Sequence, residues 1–446
     1  MGKQLFGTDG IRGVAGEYPL DRPTIYAFGV ALGDDLTRHH AAPEVLIGAD
    51  TRESGPWIAE LVAGGLERRG ARVRFAGTIT TPGVAYLTRT GPFQAGVMIS
   101  ASHNPYRDNG LKVFGHSGFK LPDDDEHAIE QEILQVARDS AVGDPHPLTA
   151  DSALQRQYLE YLISTVAVRF DGMKLAIDCG NGAACHLAPE LFQRLGAEVT
   201  TLSTDPDGQN INQNCGALHL ENLRDAVLGG GLDFGVAFDG DADRAMFIAR
   251  SGKIVDGDAV LLASARALRA SGHLPKDTVV STVMANLGLE KAFEREGIRM
   301  VRTPVGDKYV LEEMERLGAV LGGEQSGHII FREFATTGDG MLTALRLFEI
   351  ARRAGTGLDE LTADLIVYPQ KLVNIRVREK KALTEVPAIA EEIRRVEESF
   401  AGTGRVLVRF SGTEPLARVM VEGRNQEDVD RFSTAIADVI RREMGA

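Results

Sequence analysis

Short apolar runs alternate with longer amphipathic stretches along most of the chain. Runs such as 44–47, 174–178 and 278–282 are rich in β-branched and aliphatic residues, which is typical of buried strands. Between them lie stretches with helical periodicity, for example 57–69 and 308–317. Strands that alternate with helices of about 10–15 residues indicate α/β domains with mixed, mainly parallel sheets.

This alternation runs through three successive cycles and then changes character. The last part of the chain instead combines one long helical stretch, 385–400, with strands near 370–377, 405–410 and 418–422. We therefore predict three similar α/β domains and a smaller α+β domain at the carboxyl end. The predicted boundaries are 1–150, 151–254, 255–367 and 368–446. In sheets of this kind, ligands bind beyond the carboxyl ends of the strands.

Composition narrows the class of protein. The 446 residues are 43% hydrophobic and 25% charged, which is ordinary for globular domains with large cores. A net charge of −14 argues against nucleic acid as the main partner. The three cysteines form no CxxC pair, which favours reduced thiols in a cytoplasmic protein. No apolar run approaches the ~18 residues of a membrane span, and we expect neither a membrane partner nor a signal peptide.

One polar stretch, Ser100–Gly110, follows the apolar run 96–99 and is too rich in Ser, Asn, Pro and Gly to continue a strand. A rigid strand would therefore deliver the small hydroxyl of Ser102 to a loop, with the imidazole of His103 beside it. That arrangement suits a nucleophile or a phosphate carrier. An ordinary turn at a strand end is the competing interpretation, because Ser and Asn-Pro are common turn formers.

A second stretch places three carboxylates at alternate positions, Asp239, Asp241 and Asp243, directly after the apolar run 234–238. An all-oxygen set in an extended loop suits Mg²⁺ or Ca²⁺ and not zinc. An EF-hand fails, because Arg244 stands where that loop needs Gly and Arg250 where it needs Glu. An acidic turn is the alternative, but carboxylates this close repel one another without a cation.

Three further polar loops have the composition of ligand sites, although each could also be an ordinary loop. The glycine-rich loop Phe6–Gly13 contains Arg12, which could grip a phosphate. The loop Gly323–His328 offers Glu, Gln and Ser to sugar hydroxyls. The loop Arg409–Pro415 combines exposed amides, two hydroxyls and an arginine, as a phosphate cradle does.

These five motifs, in this order and each at a predicted strand exit, resemble the α-D-phosphohexomutase superfamily. The resemblance covers the whole chain and implies four domains around a central cleft. Gln325 and the run 303–310 are similar to the branch that acts on glucosamine phosphates. The phosphoglucomutase and phosphomannomutase branch is the alternative.

The resemblance also implies a role for individual residues. Ser102 is expected to be phosphorylated, and a phosphate oxygen on it is expected to join Asp239, Asp241 and Asp243 as a ligand of Mg²⁺. The residues expected near the transferring phosphoryl group are Arg12, His103, Lys112 and Arg244. The residues expected to bind the substrate are Glu324, Ser326, His328, Arg409, Ser411, Gly412 and Thr413.

The implied reaction converts glucosamine 6-phosphate to glucosamine 1-phosphate, for UDP-N-acetylglucosamine and cell-wall synthesis. The phosphoryl group would pass through a 1,6-bisphosphate intermediate, with catalytic hexose 1,6-bisphosphate as the activator and a small sugar phosphate as the partner. The oligomeric state stays open, a homodimer included. A phosphatase or a non-catalytic sugar-phosphate sensor would share parts of this pattern, but a sensor has no need for Ser102 beside three metal carboxylates.

Overall fold

The computed structural model describes residues 5–7, 9–139, 142–379, 385–410 and 415–446. These residues form two compact units. The first unit comprises the described residues up to Val283 together with Met300–Ala363. The second unit comprises Met284–Arg299 together with the described residues of Asp364–Ala446. Four sheets with flanking helices confirm the predicted mixed α/β class, while the domain boundaries stay predictions. None of the helices in the described ranges combines the length and apolarity that crossing a membrane requires.

The first sheet carries the polar stretch Ser100–Gly110 and has the strand order β1-β2-β6-β5-β3-β4. Its strands are β1 (Phe6–Gly7), β2 (Gly10–Val14), β3 (Glu44–Ala49), β4 (Arg72–Thr78), β5 (Ala95–Ile99) and β6 (Asp108–Gly115). The accompanying helices are α1 (Arg22–His39), α2 (Gly55–Arg68), α3 (Thr81–Thr90) and α4 (Asp123–Asp139), and α5 (Ser152–Ser164) follows. Strands β5, β3 and β4 run parallel, so their carboxyl ends lie at one edge of the sheet.

Four local features differ from the sequence prediction. The glycine-rich stretch Phe6–Gly13, expected to be a loop, instead contributes to the antiparallel strands β1 and β2, so Arg12 lies on a strand. Strand β6 begins at Asp108, within the stretch expected to be loop, because residues 108–110 pair with β2. Helix α1 was not predicted, although Asp21 caps its first turn and Pro23 lies in that turn, which are both start signals. The helix expected from Ala183 begins only at Leu187, because the preceding chain packs on the acidic loop, with Ala183 N–H donating to the Gly240 carbonyl.

The second and third sheets also combine parallel and antiparallel neighbours, and their orders are β11-β10-β9-β7-β8 and β13-β12-β14-β15. Their strands are β7 (Lys174–Asp178), β8 (Glu198–Leu202), β9 (Phe234–Phe238), β10 (Ala245–Ala249), β11 (Ile254–Val255), β12 (Thr278–Thr282), β13 (Arg299–Thr303), β14 (Leu321–Gly323) and β15 (Ile329–Phe331). The helices are α6 (Leu187–Arg194), α7 (Glu221–Gly230), α8 (Gly257–Ala270), α9 (Leu287–Glu296), α10 (Asp307–Leu317), α11 (Gly340–Ala354) and α12 (Leu358–Leu361).

The second compact unit contains the α+β arrangement predicted for the carboxyl end, and it also includes Met284–Arg299, which the predicted boundaries place in the third α/β domain. Its antiparallel sheet has the order β16-β18-β17 and is covered by two helices. The elements are β16 (Gln370–Arg376), α13 (Pro387–Phe400), β17 (Gly404–Phe410), β18 (Leu416–Gly423) and α14 (Gln426–Met444). Helix α9 belongs to this unit, since Leu287 N–H donates to Glu422 Oε1 at 2.9 Å.

Helix α11 joins the second and third sheets within the first unit. Its Phe348 side chain stacks on Phe234 at 5.2 Å between ring centroids and meets Phe192 and Phe247 edge-on. These rings belong to the second sheet and its helix, although α11 follows the third sheet in sequence. Packed aromatic rings of this kind bury large apolar areas, so the edges that carry the polar loops are held on a rigid base.

The N-terminus of α11 carries a buried carboxyl group whose protonation should affect stability. Asp339 Oδ1 accepts from Leu342 N–H at 2.9 Å, and Oδ2 accepts from the Tyr158 hydroxyl at 2.7 Å. Burial raises the pKa of Asp339 to about 6, despite both hydrogen bonds. A folded-state pKa above the unfolded value favours folding at low pH, and that contribution is lost as pH rises through the folded pKa.

We therefore expect Asp339→Asn to flatten the fall in unfolding free energy between about pH 4 and 6, by up to about 3 kcal/mol. Urea unfolding at a series of pH values measures this slope. Tyr158→Phe is the control, because it keeps the carboxyl group but removes a hydrogen bond that lowers the pKa of Asp339, so the fall should persist and extend to higher pH. The same slope in Asp339→Asn as in the unchanged protein would contradict the assignment.

Candidate active site

Ser102 lies at the exit of β5 and adopts the left-handed conformation, with φ 53°. Its side chain is buried, and Oγ donates a hydrogen bond to Asp239 Oδ2 at 2.5 Å. Its amide donates to Ser100 Oγ at 2.9 Å. The hydroxyl is therefore held in a defined position against the acidic loop that follows β9.

The carboxylates of Asp239, Asp241 and Asp243 converge. Each offers an oxygen atom within 4.8 Å of those of the other two. Oδ1 of Asp241 and Oδ1 of Asp243 are buried and have no hydrogen-bond partner among the residues that the structure describes. Oδ2 of Asp241 instead accepts from Thr81 Oγ1 at 2.5 Å and from Lys112 Nζ at 2.8 Å. Two buried oxygens without protein partners, in an all-oxygen set, fit a hard divalent cation.

The electrostatics of this cluster also favour a cation. Burial, together with the charges of Asp243 and Asp241, raises the pKa of Asp239 well above its usual range. Burial would likewise raise the pKa of Asp243, but Lys112, His328 and Arg244 hold it below its usual range. The raised pKa of Asp239 reflects burial and repulsion from the neighbouring carboxylates, and a cation at the centre of the cluster would relieve that repulsion and favour the ionised form.

Three basic side chains surround the cluster. Lys112 is fully buried; burial would lower its pKa, but Asp241, Asp9 and Asp243 raise it above the ordinary value, so the ammonium stays charged. Arg12 pairs with Asp9, and Arg244 Nε lies 3.8 Å from Asp243 Oδ1. The Nε atoms of both arginines are buried, and within the described part of the chain neither has a hydrogen-bond partner. Donors of this kind suit an anionic group such as a phosphoryl oxygen.

His103 lies directly beside the serine hydroxyl, with Nδ1 at 3.4 Å from Ser102 Oγ. Burial, followed by the charges of Arg244 and Arg12, lowers the pKa of His103 to about 4. The imidazole is therefore neutral near pH 7 and can accept a proton.

A lysine that the sequence did not reveal connects two of the polar loops. Lys120 Nζ lies 2.5 Å from Asp9 Oδ1 and 2.5 Å from Asp307 Oδ2. Burial would lower the pKa of Lys120, but Asp307 and Asp9 raise it above the ordinary value. Asp307 opens α10 and lies in the run 303–310 that the sequence had drawn attention to, whereas Lys120 follows no motif.

The loop Gly323–His328 begins at the end of β14. Glu324 Oε1 accepts from Gly306 N–H at 3.1 Å, and Ser326 Oγ lies 3.4 Å from Glu324 Oε2. His328 Nε2 accepts from Gly338 N–H at 3.0 Å, so Nδ1 carries the proton and faces Asp243 Oδ2 at 3.6 Å. Of the predicted substrate residues, His328 is thus in direct electrostatic contact with the acidic cluster.

The last predicted motif belongs to the second compact unit. Arg409 lies on β17 directly opposite Arg418 of β18, and burial and that second arginine lower the pKa of Arg409. Two neighbouring guanidiniums on one sheet favour an anion between them. Ser411, Gly412 and Thr413 lie outside the described residues, as does Thr8 of the first loop.

Comparison with known proteins accounts for the whole chain. Sequence profiles of phosphoglucomutase/phosphomannomutase α/β/α domains I, II and III match residues 3–139, 156–252 and 256–368, and the profile of the C-terminal domain matches residues 372–439. The phosphoglucosamine mutase of Solibacter usitatus is 73% identical over 445 residues, covering 100% of both chains. The phosphoglucosamine mutase of Koribacter versatilis is 52% identical over 452 residues, covering 99% of this chain and 98% of its own.

Solved structures share the fold at lower identity. A phosphoglucomutase/phosphomannomutase family protein of Burkholderia thailandensis gives a TM-score of 0.79 at 23% identity, covering 98% of this chain and 99% of its own. An Aspergillus fumigatus N-acetylphosphoglucosamine mutase, solved with GlcNAc-6P and magnesium, gives a TM-score of 0.66 at 18% identity, covering 99% and 96%. From the fold and the full-length identities together, this chain belongs to the phosphoglucosamine mutase family and is an isomerase of the phosphohexomutase type.

Proposed function

We propose that this protein interconverts glucosamine 6-phosphate and glucosamine 1-phosphate through a phosphoserine at Ser102 and a 1,6-bisphosphate intermediate. The observation that carries the proposal is the contact of Ser102 Oγ with Asp239, at 2.5 Å, inside a buried cluster of three carboxylates. A hydrolytic serine needs a general base and no metal cluster, whereas a serine that carries a phosphoryl group needs positive charge around it. Family membership supports glucosamine phosphates as the substrates.

Asp239, Asp241 and Asp243 would hold Mg²⁺ together with an oxygen of the Ser102 phosphate. Phosphorylation of Ser102 removes the hydroxyl hydrogen that Asp239 Oδ2 accepts, which frees that oxygen for a metal. The other two residues already present Oδ1 atoms without partners. When bound, Mg²⁺ would neutralise charge on the transferring phosphoryl group.

In the forward half-reaction, the free hydroxyl oxygen of the sugar phosphate bonds to phosphorus and the bond between phosphorus and Ser102 Oγ breaks. The hydroxyl proton passes to neutral His103, our candidate base, which then protonates Ser102 Oγ at 3.4 Å. Lys112, Arg12 and Arg244 would stabilise the charge on the equatorial oxygens.

The reverse half-reaction returns the other phosphate of the bisphosphate to Ser102. The sugar must therefore bind in both orientations, and we propose Glu324 and Ser326 for its hydroxyls and Arg409, Ser411, Gly412 and Thr413 for the distal phosphate. His328, whose two ring nitrogens already face Gly338 and Asp243, would act on the substrate through the acidic cluster. Catalytic hexose 1,6-bisphosphate would reload any enzyme that has lost its phosphate. Free thiols at Cys179, Cys185 and Cys215 support a cytoplasmic site of action, where the product would feed UDP-N-acetylglucosamine synthesis.

A coupled assay with glucosamine, glucose and mannose 6-phosphates, Mg²⁺ and a catalytic amount of hexose 1,6-bisphosphate tests the proposal. We expect the highest kcat/KM for glucosamine 6-phosphate. A higher kcat/KM for glucose or mannose 6-phosphate would assign the protein to the phosphoglucomutase or phosphomannomutase reaction instead.

The same reactions distinguish a mutase from a phosphatase. A mutase keeps the phosphoryl group on enzyme or sugar, so inorganic phosphate should stay far below the amount of product formed. Stoichiometric release of inorganic phosphate from the bisphosphate would contradict the proposal.

A further inference from the structure

Arg52 has a fully buried guanidinium that no step of the proposed reaction uses. It lies three residues beyond the end of β3, at the sheet edge where β5 delivers Ser102. A charged side chain is almost never fully buried unless each of its N–H groups finds an acceptor. The acceptors of Arg52 therefore indicate what it is for.

Four of its five N–H groups donate to carbonyl oxygens of one loop. Nη2 donates to the Ser102 and Asn104 carbonyls, both at 2.9 Å. Nη1 donates to the Asp108 carbonyl at 2.9 Å and to that of Pro105. The planar guanidinium thus binds four backbone carbonyl oxygens of residues 102–108 at once.

The fifth N–H group connects Arg52 to the other side of the loop. Nε donates to Asp50 Oδ2 at 2.9 Å, and that oxygen also accepts from Ser100 Oγ at 2.6 Å. Ser100 Oγ in turn accepts from the Ser102 amide at 2.9 Å. Ser102 is therefore held through its carbonyl by Arg52 and through its amide by the Asp50–Ser100 pair.

This support matters because Ser102 has a positive φ of 53°, which a residue with a Cβ atom rarely adopts. Such a conformation persists only where the surroundings over-determine it. It directs Ser102 Oγ to Asp239 at 2.5 Å, so a shift of the loop would move the carrier oxygen away from the carboxylate cluster.

We propose that Arg52 is a positioning residue for the phosphate carrier, which fixes the Ser102 loop through its carbonyl oxygens. The catalytic part of this inference rests on the proposed function; the fixing of the loop does not. The hydrogen bonds of Arg52 go to the loop and to Asp50, and none goes to those residues assigned to the sugar that the structure describes. Its loss should therefore lower kcat and leave KM nearly unchanged.

The variant Arg52→Lys tests the inference. Lysine keeps the charge, but its single nitrogen cannot reach four carbonyls and a carboxylate at once. We expect kcat to fall at least about tenfold, with KM and the Mg²⁺ midpoint within about threefold, since small misplacements of reacting groups are costly. Amide hydrogen exchange should rise in residues 100–110 and stay unchanged in the strands of the second sheet.

Arg346→Lys is the matched control. Arg346 is also a largely buried arginine with a carbonyl acceptor, Thr165, and a carboxylate partner, Glu349 at 3.1 Å, but it lies on α11. The Arg346→Lys variant should leave both kcat and the amide hydrogen exchange of residues 100–110 unchanged. A similar loss of kcat in both variants would mean a general effect of buried arginines and would overturn the proposal.

Asn212→Ala gives a milder second test, because Asn212 Nδ2 donates to the same Ser102 and Asn104 carbonyls at 2.9 and 3.3 Å. Asn212→Ala should raise amide hydrogen exchange in residues 100–110. If Arg52→Lys does not fold, unchanged exchange in Asn212→Ala would contradict the fixing of the loop through its carbonyl oxygens. A kcat within about threefold of the unchanged protein in Arg52→Lys, or a rise in KM alone, would overturn the positioning role. If the unchanged protein shows no mutase turnover, the proposed function fails, while the exchange comparison still tests the fixing of the loop.

Discussion

Replacing Ser102 with alanine is expected to reduce mutase turnover by at least about 10³-fold, because the variant lacks the hydroxyl proposed to carry the phosphoryl group between the two half-reactions. The loss should appear in kcat for glucosamine 6-phosphate at saturating bisphosphate. Ser102 Oγ has two side-chain partners, Asp239 Oδ2 at 2.5 Å and His103 Nδ1 at 3.4 Å, so the alanine variant loses only these two contacts and should fold normally. Incubation with glucose 1,6-bisphosphate followed by intact-protein mass measurement should show no phosphoryl transfer to the variant.

Ser117→Ala is the matched control, since Ser117 is exposed and lies on the turn that follows β6. It should keep full turnover and accept one phosphoryl group. Near-normal turnover in Ser102→Ala, or phosphorylation of that variant to the same extent as the control, would rule out Ser102 as the carrier.

Much of the fold could be predicted from the sequence because strand periodicity and strand exits are local signals. The runs that became β3, β7, β9 and β12 were each placed correctly, and so was the change to an α+β arrangement near the carboxyl end. The parts of the fold that the sequence did not predict depend on contacts between segments far apart in the chain. Asp108–Gly110 have the composition of a loop but pair with β2, and α11 follows the third sheet in sequence yet packs its Phe348 on the second.

The site shows the same division between local and long-range information. Ser102 and the three aspartates were recognisable because their motifs directly follow apolar strands. Thr81 and Arg52 also follow strands of the first sheet, β4 and β3, so the same rule could have drawn attention to them. Their importance lies in partners far along the chain: Thr81 binds Asp241, 160 residues away, and Lys120 binds Asp307, 187 residues away. No spacing in a single sequence indicates such pairs.

Asp241→Asn is expected to shift the Mg²⁺ midpoint of activity by about 100-fold or more and to lower kcat at any attainable Mg²⁺ concentration. The amide removes the negative charge at the centre of the cluster. The orientation of the new side chain then determines which of its two polar groups, the oxygen or the NH₂, faces the metal site. Thr81 Oγ1 and Lys112 Nζ both donate to Oδ2. They should therefore hold the amide oxygen at that position and turn the NH₂ group toward the place where the partnerless Oδ1 stands. An NH₂ group cannot coordinate a cation.

Mg²⁺ titrations of activity and calorimetric titration of the protein with Mg²⁺ measure the effect, the second independently of turnover. Asp225→Asn on the exposed face of α7 is the control, because it makes the same change in net charge away from the cluster. An unchanged Mg²⁺ midpoint in Asp241→Asn would contradict the metal assignment. A midpoint that moved equally in both variants would point to net charge as the cause. A shift confined to Asp241→Asn would instead locate the effect at the carboxylate cluster, since the two variants make the same change in net charge.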